Sequence, residues 1–302
     1  MTVQDSATHT SPVAVGPATG GGTLLAALGV IAFSLTFPST VWGLESFGPW
    51  SLVALRSVLA ALIAGGFLLA LRVRPPKRRH WGSLAVVAGG VVVGFPLLTT
   101  LALQTSTTSH AAVVVGLLPL TTAVFAAVRT GRRPSRTFWV AALAGAAVVI
   151  AFTVSGSGGG LQRADLYLFG ALLVCAAGYT EGGRLAAQMP GWQVVGWALV
   201  LCLPVATAGA AVSLAYEPVR LTGQGVAGLV WVAAGSTFFG LYVWYRGMAS
   251  IGIARASQLQ LAQPLLTLVW SVALLGERLS PAAPVAAAGV LVCIAVTQRA
   301  RA

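Results

Sequence analysis

The sequence predicts an all-α integral membrane protein: ten transmembrane helices as two inverted five-helix repeats around a central cavity, with both termini cytoplasmic. Three observations carry that expectation. Of 302 residues, 57% are hydrophobic and 8% charged, whereas a soluble globular protein carries about 25% charged residues. With a mean hydropathy of +0.87, the chain lacks the charges to clothe a water-soluble fold. The apolar residues gather into ten segments, each near the roughly 20 residues a helix needs to cross hydrocarbon. The second half of the chain also echoes the first.

Met1 to Gly22 is rich in Thr, Ser, Gly and Pro and lacks Lys and Arg. It reads as a disordered cytoplasmic tail, and without a basic n-region it is a poor signal peptide. The apolar segments follow at 23–44, 50–71, 81–103, 109–128, 137–154, 166–187, 192–215, 225–246, 255–275 and 282–298. Residues 23–154 form the first repeat, 155–165 a periplasmic linker, 166–298 the second repeat and 299–302 a cytoplasmic tail. The glycine run from Gly156 to Gly160 joins two spans, not a strand and a helix, so it is a flexible connector and not a phosphate loop.

The echo is clearest between Thr107–Ser135 and the stretch from Ala254 to Ser280. A slide of 145 residues lays Ala111 on Ala256, Pro119 on Pro264, Gly131 on Gly276 and Ser135 on Ser280. One residue of slippage then brings VAALAG, ending at Gly145, onto VAAAG, ending at Gly289. Five spans per half is an odd number, so the second half must be inverted relative to the first.

Basic residues set the orientation. With a cytoplasmic N-terminus, fourteen fall inside, from Arg72, Arg74, Lys77, Arg78 and Arg79 through to Arg299 and Arg301. Only Arg163, Arg220 and Arg278 fall outside, and Arg56 lies within the second span. This is the positive-inside bias of a multi-pass bacterial inner-membrane protein. It also accounts for Arg132 standing where the second half has Glu277, because the two loops face opposite sides. The net charge of +12 is thus topology signalling with attraction to anionic lipid, and nucleic acid is not expected as a partner.

Ten spans in two halves, a mid-helix proline in the fourth and ninth spans, and Gly276-Glu277-Arg278-Leu279-Ser280 closing the ninth resemble the drug/metabolite transporter superfamily, specifically its EamA-type family. The resemblance covers roughly residues 23–298, and Arg56 resembles an arginine common at that place. In layout the chain is similar to bacterial aromatic-amino-acid exporters. The resemblance implies that helices one, three, four, six, eight and nine surround the cavity, and that the chain exports small organic metabolites, with aromatic amino acids favoured.

Inverted repeats place the substrate near mid-membrane, between the halves. On the ninth span Ser257, Gln260, Pro264, Thr267 and Ser271 recur at steps of three and four, making one polar stripe on an apolar helix. Ser257, Gln260, Gln263 and Thr267 are therefore candidates to bond a polar substrate; the plainer role is hydrogen bonding between helices. Pro264, like Pro119 and Pro38, leaves a backbone carbonyl without its helical donor. Phe33 and Phe37 in the first span, Thr99 and Thr100 in the third, Tyr179 in the sixth and Phe239 and Tyr242 in the eighth are further cavity candidates. Trp244 and Tyr245 belong to the interfacial aromatic belt. The pairs Gly90/Gly94 and Gly178/Gly182 point to close helix packing.

Ionisable groups within spans are the sharpest functional clues. Glu181 has Arg184 one turn on, which favours a local ion pair over a proton-coupling carboxylate. Arg56 faces a choice between a substrate carboxylate and snorkelling to the interface. His110 opens the fourth span as an interfacial group. With so few buried carboxylates, transport down the substrate gradient is expected, and proton-coupled antiport through Glu181 is the alternative. Cys175, Cys202 and Cys293 are odd in number and widely spaced, so neither a disulfide nor a metal site is expected. His9, His80 and His110 are scattered, no cofactor is implied, and an enzyme is not expected. A receptor or scaffold would need more loop surface than these short loops offer. A monomer is sufficient, because the two halves already supply the symmetry.

Overall fold

The computed structural model describes residues 20–131, 135–156, 161–251, 256 and 259–299. Ser257, Arg132, most of the N-terminal tail and most of the glycine run lie outside them. Among the described residues eight helices are long and apolar enough to cross a membrane. They are α1 (Gly21–Leu44), α2 (Pro49–Ala70), α3 (Arg78–Ala102), α4 (Thr108–Arg129), α5 (Arg136–Ser155), α6 (Arg163–Ala186), α7 (Gly191–Tyr216) and α8 (Gly223–Met248). Two shorter apolar helices follow, α9 (Ala262–Leu275) and α10 (Ala282–Val296).

Local chemistry sets the ends. Pro49 opens α2, where its missing N–H costs nothing. Thr107 accepts from the His110 N–H to cap α4, Thr222 accepts from Gly225 to cap α8, and Gln162 with Asp165 forms a capping box on α6. α4 and α9 both end at a glycine in the left-handed region, Gly131 at φ +67° and Gly276 at φ +65°. The repeat-matched glycines are therefore helix stops.

Breaks and bulges shape the middle of the bundle. α1 is interrupted at Leu35, just ahead of Pro38, and α4 at Gly116–Leu117, just ahead of Pro119. α3 winds into a π-helical segment over Ala88–Gly94, and α8 does the same over Trp231–Gly240. These segments occupy matching places in the two halves. π-turns commonly mark functional positions, because the wider turn re-aims the side chains it carries.

The helices pair in a way that repeats itself when the halves are exchanged. α3 meets α6 at Gly90 and Gly178, where a Cβ on Gly178 would sit 2.7 Å from Val91 Cγ2 and 3.4 Å from Gly90 Cα. α1 meets α8 equally closely, with a Cβ on Gly29 falling 2.8 Å from Trp244 Cβ. α5 packs on α10 through the two repeat-matched glycines: a Cβ on Gly145 would lie 3.3 Å from Cys293 Cβ, and one on Gly289 would lie 3.3 Å from Val148. Small residues let backbones approach where lipid supplies no hydrophobic drive.

Two carboxylates tie matched helices together at one end of the bundle. Glu217, just past α7, accepts from the Trp50 and Ser51 N–H groups (3.2 and 2.7 Å) at the start of α2. Glu277, just past α9, accepts from the Thr108 and Ser109 N–H groups (2.7 and 3.0 Å) at the start of α4. Each carboxylate satisfies donors that a helix start leaves open and sits at the positive end of its dipole. In both pairs one helix ends where the other begins, so α2 and α7, and likewise α4 and α9, run in opposite directions. Leu62, Leu69, Val140, Leu143, Val205 and Val285 stay exposed on the perimeter, the apolar coat a spanning bundle turns toward lipid.

Candidate functional site

The interruptions of α1 and α4 and the π-segments of α3 and α8 surround one cavity of about 290 Å³. That is at the lower end of small-ligand sites, about 300–1,000 Å³. α1 supplies Phe33, Thr36 and Phe37; α3 supplies Val91, Val92 and Phe95; α4 supplies Val115, Pro119 and Thr122. Tyr179 comes from α6, Ser236 and Thr237 from α8, Gln263, Pro264 and Thr267 from α9, and Gln260 from the helical residues just ahead of the turn at Leu261. All six helices expected at the cavity contribute. So do α2 through Arg56, α7 through Val195 and α10 through Leu291 and Ile294.

The lining divides by chemistry. Phe33, Phe37, Phe95 and Tyr179 give aromatic faces, and Tyr179 keeps 39% of its surface open. The Gln260 and Gln263 amides have no side-chain partner among the described residues, and the buried Thr122 hydroxyl is also unpartnered. Thr36 and Ser236 hydroxyls bond each other across α1 and α8 at 2.6 Å. Arg56 Nη2 donates to Thr237 Oγ1 at 2.8 Å, and that hydroxyl donates in turn to the Val232 carbonyl at 2.6 Å, five residues back along the π-turn. Among the described residues no carboxylate lines the cavity, and no three His, Cys, Asp or Glu side chains gather as metal ligands.

Of the expected site residues, Phe33, Phe37, Arg56, Pro119, Tyr179, Gln260, Gln263, Pro264 and Thr267 come together here. Thr267 also serves between helices: its hydroxyl reaches the Ser34 carbonyl of α1 and the Gln263 carbonyl of its own helix, both at 3.0 Å. Ser257 lies outside the described residues. Others are placed elsewhere. Phe239 is 55% exposed on the perimeter. Tyr242 joins an edge-on aromatic cluster with Phe67 and Trp192, and Arg246 bonds its hydroxyl at 3.0 Å. Thr99 and Thr100 are buried away from the lining, and Thr99 bonds back to the Phe95 and Pro96 carbonyls of its own helix.

Two of the three candidate ionisable groups are also committed outside the cavity. His110 Nε2 lies 2.8 Å from Asp165, with its ring stacked on Phe152 at 5.2 Å. Glu181 accepts from Arg184 (2.8 Å), Arg129 (3.1 Å) and Ser83 (3.0 Å), tying α6 to α4 and α3 at the end of the bundle opposite Glu277.

Sequence reasoning missed Thr36, Thr122, Ser236 and Thr237. The repeat held a signal for one of them: the same slide of 145 residues lays Thr122 on the candidate Thr267. In the structure Val91–Val92 and Ser236–Thr237, matched by that slide, also line the same space.

The chain is similar to known membrane proteins over nearly its whole length. The model of the EamA-like transporter family matches twice, over residues 20–154 and 162–298. The uncharacterized transporter YdeK of Bacillus subtilis (strain 168) is 41% identical over 275 residues, spanning 90% of this chain and 95% of that protein. A solved structure described as "Crystal structure of protein" matches with a TM-score of 0.64 at 23% identity, covering 91% of this chain and 97% of that one; it bears on the fold alone. With both halves matched and a full-length relative at this identity, the chain belongs to the EamA-like transporter family.

Proposed function

We propose that this transporter exports small organic metabolites across the bacterial inner membrane, amino acids first and aromatic amino acids above the rest. It works by alternating access of the cavity between two inverted five-helix halves, with both termini cytoplasmic. One observation carries the reading: a cavity of about 290 Å³ is lined both by aromatic rings and by polar groups, among them the Gln260 and Gln263 amides and the unpartnered Thr122 hydroxyl. A partly apolar solute with a polar head matches that lining. The helix interruptions beside Pro38 and Pro119 and the π-segments provide places where α1, α3, α4 and α8 can bend without losing a full ladder of hydrogen bonds. A monomer suffices, because both halves of the cavity come from one chain.

Transport runs down the substrate gradient. Glu181 supports this, since two arginines and a serine hold its carboxylate outside the cavity lining. Proton-coupled antiport would need it free to exchange a proton between the two sides. Direction is tested in cells. Bacteria expressing the protein and loaded with labelled phenylalanine or tryptophan should retain less label than cells lacking it, and should tolerate toxic aromatic analogues better. Equal retention across all twenty amino acids would overturn the amino-acid reading.

A further inference from the structure

Arg56 is the one charged side chain in the cavity lining among the described residues, and it is buried. A guanidinium carries five N–H donors. Here a single side-chain bond is made, to Thr237 Oγ1 at 2.8 Å. No carboxylate among the described residues comes within ion-pair distance, and their other uses explain why. Asp165 is taken by His110 and the Gln162 N–H, Glu181 by Arg129, Arg184 and Ser83. Glu217 and Glu277 cap α2 and α4, and Glu45 is exposed. Arg56 does not snorkel out along α2 either. It turns inward onto a hydroxyl fixed by the π-segment of α8, whose own proton is already given to the Val232 carbonyl. Thr237 thus offers only a lone pair, and it holds one side of the guanidinium while leaving the rest unbonded. A buried charge is stable only when something compensates it.

We propose that Arg56, positioned by Thr237, binds the carboxylate of the transported molecule, so that the cavity takes carboxylic acids and rejects the corresponding amines. This rests on the transport reading above and names its substrate class. The planar guanidinium fork matches a carboxylate bidentately. A single cation among hydroxyls and amides suits a monoanion; a phosphate ester would call for further basic groups, and the lining has none. An amino acid keeps its carboxylate on Arg56 and turns its ammonium to the Gln260 and Gln263 oxygens or the face of Tyr179. An amine without the carboxylate leaves Arg56 uncompensated and brings a second positive charge into the same cavity.

The test uses purified full-length protein in detergent and three matched probes: phenylalanine, 3-phenylpropionate and phenethylamine, with isovalerate as a smaller acid. Both carboxylates of the aromatic set should raise Tm in a saturable way, and phenethylamine should not. Arg56→Gln should weaken carboxylate binding about 10- to 100-fold, the scale of hydrogen bonds to a charged group. Its ligand-free Tm should hold or rise, since an uncompensated buried charge is removed. Should that variant fail to fold, Arg56→Lys and Thr237→Val replace it, with smaller losses of carboxylate affinity expected. Protection by phenethylamine equal to that by phenylalanine, unchanged carboxylate affinity in the variants, or no protection by any acid each overturns the proposal. Flux assays separate it from the export reading. Carboxylate protection that depends on Arg56 without phenylalanine flux sinks amino-acid export and keeps the anchor; phenylalanine flux with unchanged KM in Arg56→Gln does the reverse.

Discussion

Thr267 Oγ1 on α9 donates to the Ser34 carbonyl on α1 at 3.0 Å, and Ser34 is the residue whose carbonyl Pro38 leaves without a helical donor four positions on. Trp270 Nε1 bonds the Ser34 hydroxyl at 2.9 Å. A proline defect in the first half is thus filled by a side chain of the second, beside the cavity. Thr267→Val should cost about 0.5–2 kcal/mol, the range for interhelical hydrogen bonds in membranes and for an orphaned buried carbonyl. In a Pro38→Ala background, where the helix regains its own donor, the same substitution should cost less. Thermal unfolding of the four proteins of that cycle measures the coupling; equal costs in both backgrounds would contradict it.

Gly90 and Gly178 hold α3 and α6 at backbone contact. Gly90→Val would drive a Cβ into the Val174 carbonyl and against Gly178 Cα (3.2 Å), both backbone groups that cannot swing aside. It should lower stability by more than about 2 kcal/mol, as overpacking at a closed contact does. Gly89→Ala, one residue away and with nothing within 4 Å of the added carbon, should be tolerated. Expression level and monodispersity in detergent report both.

Glu277 closes the GERLS stretch and caps α4 through two backbone N–H groups. Glu277→Ala should lower stability by about 1–2 kcal/mol, the cost of losing a helix cap and its dipole partner. Glu277→Gln keeps one acceptor oxygen and should recover part of that. A loss no larger than at exposed Glu45 would mean that the cap contributes nothing.

Much of this was legible in the chain. Helix ends such as 166–187 against Arg163–Ala186 agree to within a few residues, because hydropathy falls sharply where loop residues meet water. Pro119, Pro264, Gly131 and Gly276 were visible because backbone chemistry is local: no N–H, or a left-handed φ. Tertiary choices were hidden. Tyr179 and Tyr242 both sit in apolar helices, and only helix rotation puts the first in the cavity and the second among Phe67 and Trp192. Nothing in the hydropathy marks the π-segment that aims Thr237 at Arg56. The N–H groups Glu277 caps lie 169 and 168 residues away in the chain, beyond any local pattern. The ninth span, expected from 255, has its continuous helix from Ala262 after a turn at Leu261.

Glu181 separates the two modes of energy use. With its carboxylate held by Arg129 and Arg184, Glu181→Gln should leave substrate-driven flux within about twofold, since surface-end ion pairs contribute little. An imposed pH gradient should drive no net transport in either protein. Intact substrate-driven flux with a pH-driven component lost on substitution would establish coupled antiport.

A gradient-driven facilitator carries its solute across the membrane unaided. Purified protein is reconstituted into liposomes preloaded with radiolabelled phenylalanine, tryptophan, tyrosine or threonine, with no pH gradient and no membrane potential. Saturable efflux, competed by unlabelled compound, is the predicted result. No efflux until a pH gradient is imposed, or none under either condition, would contradict it.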